Sequence, residues 1–180
     1  MTATVRVTPD EFLRMPEAEG RFELVRGELR SMNPTNFTHF RVRDNVSYPI
    51  SRFVRERKLG VVGGEGGFEL EFGQTVLAPD VAFVRADRVP PEDQQFGWTP
   101  LAPDFVAEVL SPSNSAQETN ERVLIYLEAG VRLVWIVDPR HRTVAVYWPD
   151  RTARIFVVGE TLAGGDVLPG FTLPVAEVFA

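Results

Sequence analysis

The stretch PDFVAEVLSPSN, at residues 103–114, decides how this chain folds. Residues 105–110 are apolar except for Glu108, and such a run is typical of a strand buried on both faces. The turn residues that follow lead into a predicted helix over residues 115–129. Residues 131–137, VRLVWIV, then form a second, mostly apolar run of strand length. This order of strand, helix and strand predicts a sheet whose centre is covered by helices.

Periodicity elsewhere in the chain predicts the elements around this unit. Helical patterns occur at residues 8–17, where Thr8 and Glu11 form a capping box, and at residues 36–58. Patterns of period two predict a hairpin at 21–32 and strands at 61–62, 68–72, 81–84, 143–147 and 154–158. The expected fold class is α/β (α+β), with a mixed central β-sheet flanked by helices. One domain is expected to span residues 1–180, since about 100–200 residues per domain is usual.

Composition narrows the classes of function. The chain has 180 residues, a formal net charge of −6 and no cysteine. These features exclude a wholly basic nucleic-acid coat, disulfides, thiolate metal sites and a cysteine nucleophile. No segment resembles a membrane span or a signal peptide, so we expect a cytoplasmic protein with no membrane partner. Lys58 is the only lysine, so chemistry that normally uses lysine falls to Lys58 or to arginine.

Three carboxylates lie in predicted strands where apolar residues are expected, namely Glu23, Asp80 and Glu108. Burying an ionised carboxylate costs several kcal/mol unless a cation or hydrogen bonds compensate its charge. Several of them on neighbouring strands indicate a shared cation, because Mg²⁺ is held by one or two carboxylates together with waters and substrate phosphates. Structural alternatives stay open: Asp80 in a turn, Glu108 paired with an arginine, and Glu23 facing solvent on an edge hairpin.

Arg122 and His39 are two further candidate site residues, and both can carry a positive charge. Arg122 shares a face of its predicted helix with Glu118 and Tyr126 at i ± 4 spacing, and a surface ion pair with Glu118 is one interpretation of it. His39 lies in the first turn of the helix at 36–58, where it could cap the helix, face solvent or act in catalysis. One suitable histidine and no cysteine make a Zn²⁺ site a poor interpretation.

Taken together, these motifs resemble the Uma-type restriction endonuclease family of the PD-(D/E)XK nuclease superfamily. The resemblance spans roughly residues 8–177. It is carried by RFELVRGEL at 21–29, His39, APDVAFV at 78–84, PDFVAEVLSPSN at 103–114 and YLEAGVRLVWIVDP at 126–139. Type II restriction enzymes of that superfamily cut DNA with Mg²⁺. The resemblance therefore implies a restriction-endonuclease-like core and a metal-dependent endonuclease.

The resemblance also implies roles for individual residues. Asp80 matches the aspartate of the PD motif, Glu108 the acid that follows it, and Glu23 the glutamate of the family's N-terminal hairpin. The superfamily lysine usually lies two residues after the second acid, but in this family it has moved to the next helix, four residues before a tyrosine. Here Leu110 occupies the first position and Arg122 the second, which departs from the pattern. Arginine carries charge but cannot release a proton near neutral pH.

The implied mechanism places Mg²⁺, or Mn²⁺, on Asp80, Glu108 and the main-chain carbonyl near Val109, beside the scissile phosphate. Arg122 would add positive charge to the transition state, and Glu23 would ligate a second ion or orient the water. Removal of Asp80 or Glu108 is expected to abolish ion binding. It is not expected to lower stability without metal, because clustered carboxylates repel one another.

Nucleic acid, DNA rather than RNA, is the partner that the resemblance implies. The helix at 36–58 carries an excess of cations, and His39, Arg41 and Arg43 are candidate contacts to nucleic-acid phosphates. Two rival functions remain. The chain could be a catalytically silent nuclease-fold module that binds nucleic acid or protein, or a carboxylate–metal phosphoesterase of small substrates.

A homodimer is expected, because cutting both strands of a duplex requires two sites and two-fold dimers are the commonest oligomers. The edge of the hairpin at residues 143–158 offers one contact surface. The apolar loop residues Phe96 and Trp98 offer another.

Overall fold

The computed structural model of the chain describes residues 6–15, 21–32, 34–71 and 73–180. Its helices are α1 (Pro9–Arg14), α2 (Phe37–Arg57), α3 (Ala116–Glu128) and α4 (Val175–Val178). Its first six strands are β1 (Arg21–Val25), β2 (Glu28–Met32), β3 (Gly60–Gly63), β4 (Phe68–Leu70), β5 (Thr75–Leu77) and β6 (Val81–Arg85). The remaining strands are β7 (Phe105–Val109), β8 (Leu133–Asp138), β9 (Thr143–Tyr147), β10 (Ala153–Val157), β11 (Thr161–Ala163) and β12 (Thr172–Pro174).

The centre of the molecule is a six-stranded mixed sheet with the order β10-β9-β8-β7-β6-β3. β7 and β8 are parallel, and the other neighbours in this sheet are antiparallel. Parallel strands need a crossover connection, and α3 supplies it. A four-stranded sheet with the order β2-β1-β5-β4 lies beside the central one, and β11 pairs with β12. The predicted fold class, a mixed sheet flanked by helices, is confirmed.

Alternate residues of β7 face two different hydrophobic clusters. Phe105, Ala107 and Val109 belong to the cluster that includes the buried face of α2. Val106 belongs to the second cluster, which α3 and the four-stranded sheet help to form. Because side chains alternate along a strand, Glu108 points to the same side as Val106, toward α3.

The long helix α2 carries His39 in its first turn and ends at Arg57. Asn36 caps it by accepting a hydrogen bond from the backbone N–H of His39 at 3.0 Å. Val46, Ile50 and Val54 are buried at helical spacing, in agreement with the helical pattern predicted at residues 36–58. Phe40, which shares the apolar pattern, is instead 48% exposed. The helix continues through Pro49 and is closed by Lys58, which has a left-handed φ of 55°.

Several short elements lie outside the sequence-based expectations. β5, β11, β12 and α4 were not predicted, and three-residue strands carry too little periodicity to be recognised. The first helix was expected to reach residue 17, whereas α1 ends at Arg14 and residues 16–20 lie outside the described part of the chain. Within the described ranges, no helix is both long and apolar enough to cross a membrane.

Candidate functional site

Asp80 and Glu108 occupy facing positions on neighbouring strands. The register of β6 and β7 pairs Val81 with Ala107, and continuing it by one residue places Asp80 opposite Glu108. Residues directly opposite in an antiparallel pair point to the same face, with Cβ atoms about 4.5–5.5 Å apart. The backbone N–H of Val109 also donates to Oδ2 of Asp80 at 2.8 Å. The two carboxylates thus lie together on one face, as the sequence predicts.

His39 is the second partner of Asp80. Its Nε2 lies 3.1 Å from Oδ2 of Asp80, and the residue is only 5% exposed. Burial alone would lower the pKa of His39, but the hydrogen bond and the charge of Asp80 outweigh it, so the pKa is raised. The other ring nitrogen, Nδ1, is buried and has no hydrogen-bond partner within the described residues. The structure therefore places His39 inside the site, and contact with nucleic acid stays a prediction.

Glu108 is held by two side chains of α3. Nε of Arg122 donates to Oε1 of Glu108 at 2.6 Å, and the hydroxyl of Tyr126 donates to the same oxygen. The i, i+4 spacing puts both donors on one face of the helix. Glu118 is engaged elsewhere, since it forms a capping box with Ser115. The interpretation of Arg122 as a surface partner of Glu118 is therefore wrong.

Glu23 reaches the site from the four-stranded sheet. Both Nη atoms of Arg122 donate to its carboxylate, one to each oxygen, and the backbone N–H of Ala78 donates to Oε1 at 2.7 Å. Glu23 is only 6% exposed, so the expectation that it could face solvent is wrong. One guanidinium joins Glu23 to Glu108, which realises the alternative that Glu108 pairs with an arginine.

Burial sets the protonation of this cluster. It raises the pKa of Glu108 to about 7, because desolvation of the carboxylate outweighs the charge of Arg122, and the charges of Asp80 and Glu23 add to the rise. Burial also raises the pKa of Tyr126 well above its usual range, so its hydroxyl stays protonated as a donor. Although burial opposes its charge, the pKa of Arg122 is raised by the surrounding carboxylates, Glu108 first. A proton can therefore occupy Glu108 near neutral pH while Arg122 stays cationic.

These groups line one cavity of about 230 Å³. The predicted site residues in its wall are Glu23, His39, Asp80, Glu108, Val109 and Arg122. Two predicted phosphate contacts lie outside that wall. Nη1 of Arg41 donates to the carbonyl oxygen of Phe179 at 3.4 Å, and Arg43 pairs with Asp44 and Glu65. Sequence analysis gave Tyr126 no role, although its position four residues after Arg122 on a helix face is a usable signal.

The oxygen atoms around Asp80 fit a hard divalent cation. Among the described residues there is no group of three or more His, Asp or Glu side chains arranged for a metal ion. Two carboxylates are nevertheless sufficient for Mg²⁺, which keeps several waters. The hydrogen bonds of Asp80 and Glu108 within the described ranges use Oδ2 and Oε1, so Oδ1 and Oε2 remain available. In a strand the N–H and C=O of one residue point the same way, so the carbonyl of Val109 faces Asp80 too.

The chain is similar to a known protein family and to solved structures. The family described as "Uma2: Putative restriction endonuclease" matches residues 9–176. A solved structure described as "a putative nuclease belonging to DUF820 from Anabaena variabilis ATCC 29413" is similar, with a TM-score of 0.85 and 24% sequence identity. The superposition covers 96% of this chain and 97% of that one, and this likeness concerns the fold alone. No curated protein matches the chain.

Proposed function

The chain belongs to the Uma2 family, described as "Putative restriction endonuclease", and from this premise we propose that it is a metal-dependent endonuclease that hydrolyses nucleic-acid phosphodiester bonds. DNA is the proposed substrate rather than RNA, since restriction endonucleases act on DNA. The observation that carries the proposal is the facing pair Asp80 and Glu108, which lines one cavity together with the half-buried guanidinium of Arg122.

Asp80, Glu108 and the carbonyl of Val109 would hold Mg²⁺ or Mn²⁺. A divalent cation bound there would supply a Lewis acid that polarises the scissile phosphate and lowers the pKa of an attacking water. His39 binds one oxygen of the Asp80 carboxylate and Tyr126 one oxygen of the Glu108 carboxylate, so the second oxygen of each remains available for a cation. These second contacts orient the ligands, which is how metal-ligating side chains are commonly held.

Arg122 provides a fixed positive charge beside these carboxylates. Its guanidinium can stabilise charge that develops on the phosphate oxygens, but it cannot serve as a proton donor near neutral pH. Both of its Nη atoms are bound by Glu23. We therefore assign Glu23 the role of positioning Arg122, in place of the sequence-based suggestion that it ligates a second ion or orients water.

One observation favours a second candidate, a catalytically silent binding module with the nuclease fold. Arg122 already pairs with both Glu23 and Glu108, and a proton can occupy Glu108 near neutral pH, so the cluster can form without any bound cation. A site of this kind can persist as a structural network after activity is lost. The rival phosphoesterase of small substrates uses the same residues and differs from an endonuclease only in what it cleaves.

Cation binding and cleavage, measured together, separate these candidates. Purified protein is titrated with Mn²⁺ by calorimetry and then assayed on plasmid DNA, on single-stranded DNA, on RNA and on a small chromogenic phosphodiester. Saturable Mn²⁺ binding with DNA cleavage is expected for the wild type, and Asp80→Asn should lose both. Asp166→Asn, which changes an exposed aspartate, is the matched control and should behave like the wild type. If the wild-type protein binds no Mn²⁺ and cuts no DNA, the catalytically silent binding module is the candidate that remains.

A homodimer remains part of the proposal. β10 is an edge strand of the central sheet, and its side chains Ile155 and Val157 are 64% and 47% exposed. An unpaired edge of this kind can pair with the same edge of a second copy. Phe96 is 90% exposed, whereas Trp98 stacks on Phe12 at 5.0 Å and is a poor candidate for the contact. Light scattering should give about twice the 20.2 kDa chain mass, and a monomer mass contradicts the dimer.

A further inference from the structure

Phe37 and Phe40 form an exposed aromatic pair in the first turn of α2. Their side chains are 77% and 48% exposed, and their ring centroids are 6.2 Å apart with an angle of 37° between the planes. Two aromatic rings side by side at the surface leave apolar area in water, and exposed apolar patches of this kind commonly mark binding surfaces. Neither residue belongs to the two hydrophobic clusters of the core.

The pair adjoins the candidate site. His39 lies between the two phenylalanines in sequence and bonds Asp80, and both His39 and Thr35 line the cavity. Phe37 and Phe40 thus belong to the same helical turn as His39, and their rings lie outside the wall of the cavity. No acidic residue occurs in the first turn of α2, so no carboxylate side chain there offsets the positive end of the helix dipole.

We propose that Phe37 and Phe40 form a stacking platform for an unpaired base of the nucleic acid whose phosphodiester bond enters the cavity. In a duplex each base face is covered by its neighbours, so only an unpaired base can lay its ring on an exposed aromatic side chain. The platform would thereby select single strands, or unpaired segments of a duplex, over fully paired DNA. This inference rests on the proposed nuclease function and names the substrate form that the same site accepts.

Stacking can supply affinity at this surface that does not depend on the charge of the chain. The chain carries a net charge of −6, so general attraction to phosphates is weak. Arg43, whose guanidinium lies 5.4 Å from the centroid of the Phe40 ring, is paired with Asp44 and Glu65. Base stacking does not depend on neutralising phosphates. Binding should accordingly show a shallow dependence on salt concentration.

Anisotropy of labelled oligonucleotides in EDTA, where a metal-dependent cut is blocked, tests the platform. The probes are oligothymidylate of about 15 nucleotides, a duplex of the same length and oligouridylate, since site sizes of about 4–16 nucleotides are usual. The wild type is expected to bind the single strand more tightly than the duplex. The double variant Phe37→Ala/Phe40→Ala should bind the single strand about tenfold or more weakly. Tyr48→Ala, a change at a 69% exposed aromatic residue farther along α2, should have no effect.

A second readout reports stacking directly and keeps the test informative if the double variant folds poorly. In Phe37→Trp the new indole should be quenched when oligothymidylate binds, and duplex should quench it less. Equal binding of duplex and single strand, or a folded double variant that binds like the wild type, overturns the platform. DNA cleavage that survives in that case leaves the nuclease proposal standing. Stacking without cleavage in Mg²⁺ or Mn²⁺ would contradict the nuclease proposal and support the platform. Binding of oligouridylate shows whether the platform also accepts RNA.

Discussion

Arg122 binds Glu23 through two hydrogen bonds, although the two residues are 99 positions apart in the chain. Because the same guanidinium also binds Glu108, it links the four-stranded sheet to the central sheet through α3. A buried carboxylate is costly only while its charge is uncompensated. Glu23 and Glu108 can therefore be held together in the folded chain without a divalent cation.

Substitutions of Arg122 should distinguish the effect of its positive charge from the effect of its hydrogen-bond geometry. Arg122→Lys keeps the charge but loses the planar fork that reaches two carboxylates, so we expect cleavage within about tenfold of the wild type. The free energy of unfolding should fall by about 1.5–3 kcal/mol, the range for hydrogen bonds to charged groups. Arg122→Met should lower the cleavage rate about 10²–10³-fold. Equal rates for Arg122→Met and the wild type would show that the cation has no part in catalysis.

Loss of Glu108 should cost stability as well as ion binding. Repulsion between clustered carboxylates predicts no such cost, but Glu108→Ala removes the acceptor shared by Arg122 and Tyr126. We expect a decrease of about 3–5 kcal/mol in the free energy of unfolding in EDTA, measured by urea denaturation. Glu108→Gln keeps an acceptor oxygen and should lose less, while both variants lose Mn²⁺ binding. Full stability of Glu108→Ala would contradict the contacts described for Arg122.

Cation affinity should rise with pH. The pKa of Glu108 is raised to about 7, so below that pH a proton competes with the cation for the carboxylate. Mn²⁺ titrations between about pH 5.5 and 8.5 should show affinity that increases through about pH 7 and then levels off. An affinity that does not change over this range would show that Glu108 is not a ligand.

Stability without metal should change with pH in the opposite sense. Glu108 ionises near 4.5 in the unfolded chain and near 7 in the folded one, so the folded state holds an extra proton between these values. The contribution is fully present below about pH 4.5 and is lost as pH rises through about 7. The difference in unfolding free energy between wild type and Glu108→Gln should therefore shift against the wild type over that window. A constant difference would contradict the raised pKa.

Gly64, which closely approaches the backbone of Asp80, gives an independent test of the position of Asp80. A Cβ added to Gly64 would lie 2.2 Å from the backbone carbonyl oxygen of Asp80, so in Gly64→Ala the backbone must shift at Gly64 or at Asp80, and we expect Asp80 to be displaced. Displacement by about 1 Å can cost about 10²-fold in rate, and Mn²⁺ affinity should fall with it. Gly63→Ala is the matched control, because nothing lies within 4 Å of its added Cβ. Equal behaviour of the two variants would remove Asp80 from the proposed site.

The sequence predicts the central unit well because burial there is visible locally. The apolar runs of β7 and β8 and the capped helix between them each carry their own signal, and together they specify a covered sheet. The three-residue strands β5, β11 and β12 depend on tertiary partners and leave no local pattern. Phe40 lies within the helical pattern at residues 36–58, yet spacing alone cannot tell an apolar residue of the core from one at the surface, where Phe40 is 48% exposed.

The carboxylates of the site were predictable, but their arrangement was not. Glu23, Asp80 and Glu108 stand out because each interrupts an apolar pattern. Which cation would compensate them depends on contacts between distant segments. For Arg122 the sequence did contain a clue. Ser115 and Glu118 have the spacing of a capping box, which engages Glu118, the surface partner considered for Arg122.

Lys58, the left-handed residue that ends α2, is a convenient site for labelling the chain. Lys58 closes the helix that Phe37 opens, and 21 helical residues separate the two ends by about 30 Å. Because Lys58 is the only lysine, amine-reactive reagents have one side chain to modify besides the α-amino group. A dye or a sensor surface coupled there would stand well away from the cavity. Molecules immobilised through Lys58 would share one orientation and leave the mouth of the cavity open to an oligonucleotide in solution.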